Sequence, residues 1–414
     1  MNVLMLGNGF DLNYDLPTKY INFLNTVNCI AKRTGDAFSV GEIFSDKDLL
    51  ANDTGIARSY EKYASVYDAI PVDACAVERL KAIAKNNLWF AYLIKSFNRD
   101  IGWIDFEQEI ATVLCSFRAF LPKLNLEFPR GNFPNDLIHN YIFRKFDFFY
   151  QEQSEYGSIN GVVVLDQWYS VKEKYILEYP LGSNNKIINK EAVIETLEHE
   201  LLELAEGLKL YLQYFVDNVV VELCKRNAVK PLVGLQQAEH IVTLNYTNTY
   251  EHIYGEGSVY HIHGNLSDRV ILGINPDDSD KLESIDTLFL PFKKYYQRVI
   301  NCSDVEYLDW ISNEDAYISL AVMGHSLDAT DKDIIMQMFE KAKDITVLYH
   351  NEKVKASLVS NLINIYGKEQ FDELRINKHL RFLPQNMEFN EFAEDRFAIR
   401  CRREYFGPIV TVYE

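Results

Sequence analysis

The sequence predicts an α/β fold in which a parallel β-sheet is split by a large, mainly α-helical insertion. Short apolar runs that are typical of buried strands recur at both ends of the chain, at residues 3–6, 240–244, 259–263, 270–274, 318–323 and 345–349. Helical patterns at residues 331–343 and 353–366 separate the later runs. Unbroken apolar strands that alternate with helices are typical of a parallel sheet covered on both faces.

The first predicted strand leads directly into a glycine turn. Residues 3–6 are followed by Gly7, Asn8 and Gly9, and a helical pattern begins at Thr18. Glycines let the backbone turn sharply and approach a ligand closely, and a helix N-terminus offers free N–H groups to an anion. The motif therefore indicates either a nucleotide phosphate site or an ordinary buried turn, and the turn alone does not separate the two.

The segment between the first and second strands is predicted to be mostly helical, and its clearest helix spans residues 191–226. Apolar residues recur there at intervals of three and four, at Ile194, Leu197, Leu201, Leu204, Leu208, Tyr211 and Phe215. Such a narrow seam is typical of a helix packed along a partner. We favour a partner within the same chain over an intermolecular coiled coil. A further helical region is expected at residues 85–125, and one strand at residues 161–165.

These patterns predict two domains. Residues 1–24 and 236–414 form a nucleotide-binding domain, because a ligand crevice is expected where parallel strands end. Residues 25–235 form the helical insertion. The chain has 414 residues, which is long enough for about two or three structural units.

Composition and charge narrow the class of protein. Lys and Arg number 42 against 60 Asp and Glu, which gives a net charge of −18. Broad binding to nucleic acid needs a positive surface, so a nucleic-acid partner is not expected. The six cysteines lie singly, without the spacing of a zinc or redox motif. With no export signal and no apolar run of membrane-spanning length, the sequence predicts a cytoplasmic protein that does not bind membranes.

Polar clusters follow three of the predicted strands. They are Asn245 with Thr247, His263 with Gly264, and Gly324 and Ser326 with Asp331. Because the ends of parallel strands open into one crevice, these clusters and the glycine turn are expected to form a ribose and phosphate pocket. A purely structural role stays open for two of these residues. Asn245 could cap a turn, and His263 could be a hydrogen-bonded residue of the core. Ser326 is not expected to be a nucleophile, since no glycine follows it as in the hydrolase elbow. Ser326, Asp328 and Thr330 all precede the helical pattern that begins near Asp331, so a helix-capping role is expected there.

A metal site at the paired histidines is not predicted. His261 lies two residues before His263, and a strand would place both side chains on one face. However, no third ligand of matching spacing accompanies them, and no cysteine cluster lies nearby.

These motifs, in this order, resemble those of the bacteriophage abortive infection AbiH family. The matching segments are residues 7–24, 103–107, 243–251, 261–265, 271–273 and 324–331. They lie at both ends of the chain, so the resemblance covers most of its length. AbiH proteins in turn are similar to sirtuin-like NAD-consuming domains, which share the Gly-x-Gly turn, the strand-end Asn, the His-Gly pair and the Gly-x-Ser turn. The resemblance implies a Rossmann-like (sirtuin-like) sheet and a role in phage defence.

The resemblance also implies that the protein binds NAD or a related nucleotide and hydrolyses its N-glycosidic bond. His263 would act as general base, a task that suits the ordinary pKa of histidine, and Asn245 would hold the ribose or position water. The other residues that the resemblance assigns to the nucleotide are Gly7, Asn8, Gly9, Asp11, Thr247, Gly264, Gly324, Ser326 and Asp331.

Two other functions stay open, a non-hydrolytic nucleotide sensor and an RNA-directed toxin. A phage protein is the expected trigger, and a homo-oligomer is expected by analogy with related defence domains. Trp103, Asp105 and Glu107 belong either to a solvated acidic helix start or to a lid over the pocket. Residues two apart on a helix do not share a face, so the spacing of the two carboxylates alone favours the first interpretation.

Overall fold

A six-stranded parallel sheet organises the chain. The computed structural model describes residues 1–96, 103–121, 146, 149–159, 162–178, 186–232, 238–255, 257–274, 286–301, 306–312 and 317–385. The sheet strands are β1 (Asn2–Leu6), β8 (His240–Thr243), β9 (Val259–His261), β10 (Ser319–Met323), β11 (Asp344–Tyr349) and β12 (Arg381–Pro384). Their order across the sheet is β12-β11-β10-β1-β8-β9, and every pair is parallel. The predicted α/β, Rossmann-like parallel sheet is confirmed.

Strand β1 lies at the point where the chain changes direction across the sheet. After β1 the chain adds β8 and β9 on one side, and then crosses to add β10, β11 and β12 on the other. Leu6, the last residue of β1, pairs with Thr243 on one side and with Met323 on the other. The three central strands therefore end level with one another, and the segments that follow them meet at the ligand-binding edge of such a sheet.

The two faces of β1 pack against different layers, as a period of two requires. Leu4 and Leu6 belong to a large apolar cluster that includes the helices between β1 and β8. Val3 and Met5 belong to a second cluster formed with the helices that follow β10 and β11. The sheet is therefore covered on both sides, which explains why its central strands are mainly apolar.

The helices lie mainly between β1 and β8. The first group is α1 (Gly9–Asn13), α2 (Tyr20–Ala31), α3 (Val40–Phe44), α4 (Lys47–Asn52), α5 (Thr54–Tyr67), α6 (Ala74–Asn86), α7 (Leu88–Ser96) and α8 (Trp103–Phe120). The second group is α9 (Lys190–Tyr211), α10 (Asn218–Lys225), α11 (Thr249–Tyr254), α12 (Lys294–Ile300), α13 (Glu306–Ile311), α14 (Lys332–Lys341) and α15 (Glu352–Asn377). No helix of the described ranges is long and apolar enough to cross a membrane.

Short strands outside the main sheet form three antiparallel pairs. They are β2 (Phe38–Ser39) with β3 (Pro71–Val72), β4 (Phe149–Ile159) with β5 (Val162–Val171), and β6 (Ile176–Glu178) with β7 (Lys186–Ile188). The strand predicted at residues 161–165 is part of β5, and its first residue lies outside the described residues. A second strand, β4, pairs with it along its length.

The long predicted helix is present and packs within the chain. Helix α9 continues through a π-helical stretch, Leu212–Asp217, into α10. Its apolar seam is buried, and the Trp89 indole Nε1 donates a hydrogen bond to the Leu197 carbonyl at 2.9 Å. At the other end of α9 the Tyr211 hydroxyl donates to the Pro17 carbonyl at 2.6 Å. The seam therefore fixes the insertion against the segment that follows the glycine turn.

Two details of the sheet differ from the sequence prediction. Residues 270–274 do not form a strand, and within the described ranges only Ile274 makes a bridge, to Lys293. The Ile271 amide donates instead to the His263 carbonyl at 2.9 Å, so the run is a buried connection. Strand β12 was not predicted.

The domain boundary predicted at residues 24/25 falls inside α2, and the one at 235/236 lies outside the described residues.

Candidate functional site

A cavity of about 540 Å³ opens at the carboxyl ends of β1, β8, β10 and β11. Of the residues predicted to bind or transform a nucleotide, eight line it, namely Gly7, Asn8, Gly9, Asn245, His263, Gly324, Ser326 and Asp331. Three do not line it, namely Asp11, Thr247 and Gly264. The size of the cavity is in the range of small-molecule and cofactor sites. Residues from the chain between β1 and β8, including Glu107, complete its walls.

The glycines bring two strand-end turns into direct contact. The Gly7 amide donates to the Met323 carbonyl at 3.0 Å and the Gly9 amide donates to the Gly324 carbonyl at 2.7 Å. A Cβ atom on Gly9 would lie 2.7 Å from the Gly324 Cα, and one on Gly7 would lie 2.6 Å from the His325 Cα. Gly324 itself has φ +71°, a conformation that favours glycine. Close packing of the two turns therefore requires glycine at these positions.

Asp331 is the centre of the polar floor of the cavity. Its Oδ1 lies 2.8 Å from the His263 Nε2 and 3.0 Å from the Lys294 Nζ. Its Oδ2 lies 3.2 Å from the His325 Nε2. Burial alone would raise the pKa of Asp331, but the Lys294 ammonium holds it well below its ordinary value. Asp331 is therefore an ionised carboxylate that accepts hydrogen bonds from all three neighbours.

These contacts assign the proton positions on both histidines. The Leu327 amide donates to the His325 Nδ1 at 2.9 Å, so the His325 proton is on Nε2, toward Asp331. Burial, assisted by the Lys294 ammonium, lowers the pKa of His263 to about 4, so this ring is neutral near pH 7. Because its Nε2 donates to Asp331, its Nδ1 is an acceptor. Within the described residues, that buried Nδ1 has no hydrogen-bond partner.

Lys294 joins Asp331 to a second carboxylate. Its Nζ lies 2.7 Å from the Glu107 Oε1, and Lys294 is only 1% exposed. Burial of Lys294 would lower its pKa, but the two carboxylates raise it above its ordinary value, so Lys294 carries a positive charge. Burial raises the pKa of Glu107 to about 7 although the ammonium opposes this shift. One ammonium between two carboxylates leaves an excess of negative charge at the cavity wall whenever Glu107 is ionised.

A comparison with protein families identifies the family to which the chain belongs. The family described as bacteriophage abortive infection AbiH matches residues 3–350. The chain belongs to the AbiH family. Its membership associates the protein with defence against bacteriophage by abortive infection. Comparisons with curated proteins and with solved structures gave no match.

In this AbiH chain, Asn245 and His261 hold the end of β8 in place. The Asn245 Nδ2 donates to the Gly7 carbonyl at 3.1 Å, which ties β8 to the glycine turn. His261 does not share the surroundings of His263, contrary to the prediction that both point the same way. Its Nδ1 lies 3.0 Å from the Asn245 carbonyl and its Nε2 lies 2.7 Å from the Glu251 Oε1. The reason is that β9 ends at His261, so the alternation of the strand does not extend to His263.

Asp11, Thr247 and Gly264 lie behind the cavity wall. The Thr247 hydroxyl donates to the Asp11 Oδ2 at 2.7 Å, and both residues are buried. Burial raises the pKa of Asp11 to about 7, and the negative charges of Asp217 and Glu251 add to this shift. Gly264 has φ +78°, and a Cβ atom there would overlap the Arg269 carbonyl. In the structure these residues support the two turns that carry the cavity-lining side chains.

The segment after β10 caps a helix through Asp328. The Asp328 side chain accepts a hydrogen bond from the Thr330 amide at 3.1 Å, at the start of the short 3₁₀ helix Ala329–Asp331. Ser326 is exposed, and its carbonyl accepts from the Asn361 side chain at 3.0 Å. Of the three residues predicted to cap this helix, Asp328 supplies the side-chain cap. Among the residues that the structure describes, no group of three or more His, Cys, Asp and Glu side chains is arranged to hold a metal ion.

The sequence does not predict a role for Lys294, and it leaves the role of Glu107 open. Glu107 lies on α8, within the motif that resembles the family, and its side chain reaches the cavity. The side chain of Asp105 lies outside the described residues. Lys294, the first residue of α12, belongs to none of the motifs. A lysine is ordinarily exposed, and no local pattern indicates that this one is buried between two carboxylates.

Proposed function

We propose that this AbiH protein hydrolyses the N-glycosidic bond of NAD or a related nucleotide in the cavity. The observation that carries the proposal is the buried His263 Nδ1, an acceptor without a partner on a residue that lines the cavity. Asp331 fixes the ring from the opposite nitrogen. A neutral imidazole held by a carboxylate can accept a proton at its other nitrogen. Its pKa of about 4 lies below the ordinary histidine value on which the sequence prediction relied, so His263 is a weaker base than predicted.

The charges of the cavity floor suit this reaction. When an N-glycosidic bond breaks, positive charge develops on the ribose, and groups already oriented toward that charge stabilise the transition state. Asp331 and Glu107 supply two carboxylates against the single ammonium of Lys294. The floor is therefore net negative when Glu107 is ionised, and its groups are held in place by contacts of 2.7–3.0 Å.

The proposed step consumes one water molecule. The bond between the anomeric carbon and the base nitrogen breaks, and the base leaves with the electron pair. The oxygen of a water molecule bonds to the anomeric carbon while its proton transfers to the His263 Nδ1. From NAD, the base leaves as neutral nicotinamide, and the proton on His263 returns to solvent. In this scheme Asn245 positions the ribose or the water.

The location of the cavity also supports a nucleotide ligand. It lies at the ends of β8, β1 and β10, and the chain changes direction across the sheet at β1. Open α/β sheets bind ligands in the crevice at such a point. The location of the cavity supports binding of a nucleotide, whereas His263 and the charges beside it support hydrolysis.

Incubation with NAD and measurement of free nicotinamide tests the proposal. We expect turnover by the full chain and a loss of about 100-fold or more in His263→Ala, as for removal of a general base. His199→Ala is the matched control, because His199 is exposed on α9 and lies outside the cavity. Full turnover in His263→Ala would overturn the assignment of the base. Binding of NAD without any release of nicotinamide would instead favour the nucleotide sensor.

A further inference from the structure

Two cationic residues line the cavity in addition to Lys294. Lys19 immediately precedes α2, and Arg58 lies on α5. Arg58 is exposed and forms no hydrogen bond or ion pair with the described part of the chain. Because His263 and Lys294 are buried and Arg58 is exposed, Arg58 marks the open side of the cavity. Its guanidinium is free to meet a ligand that extends from the floor toward solvent.

The glycine turn does not offer its glycine amides to an anion. The Gly7 and Gly9 amides both donate to carbonyls of the neighbouring turn, as described above, and the Phe10 amide donates to the Gly7 carbonyl at 2.9 Å. Helix α1, which follows the turn, has only 5 residues. A phosphate in this cavity therefore needs other donors.

The surrounding charges make local cations necessary for an anionic ligand. The chain carries a net charge of −18, which repels anions over the surface as a whole. Asp15 also lines the cavity, but the Lys62 Nζ lies 2.6 Å from its Oδ2 and compensates its charge. Lys294 is shared by two carboxylates on the floor. Among the described residues that line the cavity, the lysine and arginine residues other than Lys294 are Lys19 and Arg58.

We propose that Lys19 and Arg58 form a phosphate subsite, so that the ligand is a nucleotide carrying a phosphate or pyrophosphate and not a nucleoside. The proposal rests on the proposed function for the position of the sugar, which lies at His263. The phosphate then points toward the open side. A guanidinium binds phosphate oxygens in a bidentate manner, and an ammonium adds a point charge.

Calorimetric titration of the full chain with ADP-ribose, adenosine and inorganic pyrophosphate tests the subsite. ADP-ribose carries the pyrophosphate and two riboses but lacks the bond that is proposed to break, so binding is measured without turnover. We expect ADP-ribose to bind at least about 100-fold more tightly than adenosine, since each charge-assisted contact is worth about tenfold. Pyrophosphate alone is expected to bind more weakly than ADP-ribose.

The double variant Lys19→Ala/Arg58→Ala is expected to lose this preference. Its affinity for ADP-ribose should fall about 100-fold, about tenfold for each contact removed, while its affinity for adenosine should not change. Arg79→Ala/Lys85→Ala on α6 is the matched control, because it removes the same charge from exposed residues outside the cavity. Added salt should weaken ADP-ribose binding to the wild type more than to the Lys19/Arg58 variant.

The outcomes separate this proposal from the proposed function. Equal binding of ADP-ribose and adenosine, or an unchanged affinity in the Lys19/Arg58 variant, would overturn the subsite even if NAD is hydrolysed. Pyrophosphate that binds as tightly as ADP-ribose would show a simple anion site and would also overturn it. Preferential ADP-ribose binding that depends on Lys19 and Arg58 would support it even if no nicotinamide is released. No binding of any of the three probes would overturn it as well.

Discussion

Replacing Lys294 by Met tests the charge arrangement on which the candidate site depends. The substitution keeps the length of the side chain and removes the ammonium, whose Nζ lies 2.7 Å from Glu107 and 3.0 Å from Asp331. Removing one partner of a buried ion pair typically costs about 3–5 kcal/mol, because an uncompensated charge stays buried. Lys294 is 1% exposed and Glu107 is 5% exposed, so solvent does not screen the remaining charges. We expect a loss in this range in the free energy of unfolding at pH 7.

The loss is expected to depend on pH in a defined direction. Burial already raises the pKa of Glu107 to about 7 in the folded protein, from an ordinary value of 4.5, and loss of the ammonium raises it further. The folded variant then binds the proton more tightly than the unfolded chain does. Its stability must fall as pH rises from the unfolded pKa through the folded one. The deficit relative to wild type should therefore be greater at pH 8 than at pH 5.5.

Urea denaturation at several pH values measures both effects, and two variants serve as controls. Adding Glu107→Gln to Lys294→Met removes one of the two carboxylates and should restore about 1–3 kcal/mol, since the residues are coupled. Lys62→Met breaks a pair of similar length, 2.6 Å to Asp15, but Lys62 has a side chain that is 46% exposed. Its cost should stay below about 1 kcal/mol. The reasoning is refuted if Lys294→Met costs no more than Lys62→Met, or if its cost does not vary with pH.

Two further substitutions test the parts of the structure that support the cavity. Gly9→Ala should destabilise the protein by about 1–3 kcal/mol, because its Cβ would lie 2.7 Å from the Gly324 backbone. Gly257→Ala is the control in thermal unfolding, because no atom of the described residues other than its chain neighbours lies within 4 Å of the new Cβ. Equal melting temperatures of the two variants would contradict the expected effect of packing. Asp11→Asn should raise stability relative to wild type at pH 8 and less so at pH 5.5, since burial raises the pKa of Asp11 to about 7 and ionising it in the folded state is unfavourable. Urea midpoints that do not differ at pH 8 would contradict this expectation.

Apolar periodicity predicted most of the sheet but could not distinguish a strand from a buried connection. Ile271 and Leu272 are as buried as the residues of true strands, at 0% and 2% exposure, yet the Ile271 amide bonds to the turn at His263. An apolar run reports burial, whereas strand formation also requires a neighbouring strand in register. Strand β12 was missed for the opposite reason. It lies at the edge of the sheet and contains Arg381 and Pro384, residues that edge strands tolerate.

Strand-end reasoning located the cavity and most of its predicted lining, because parallel strands deliver their following residues to one place. It could not distinguish the residues that line the cavity from residues behind the cavity wall, such as Asp11 and Thr247. Both sets consist of short polar side chains near glycines in the sequence. It also had no means of finding Lys294. The role of that residue arises from contacts with Glu107 and Asp331, which are far from it in the sequence.

The position of Glu107 shows that the helical segment takes part in the site. Its helix, α8, lies in the predicted insertion, yet its carboxylate contacts the same ammonium as Asp331 of the sheet-bearing part. Lys19 and Arg58 bring two more cavity-lining side chains from the chain between β1 and β8. The apolar face of β1 that carries Leu4 and Leu6 packs into the same cluster as these helices. Because the sheet would expose that face without the insertion, folding and assembly of the cavity depend on the same contacts, and binding experiments require the full chain.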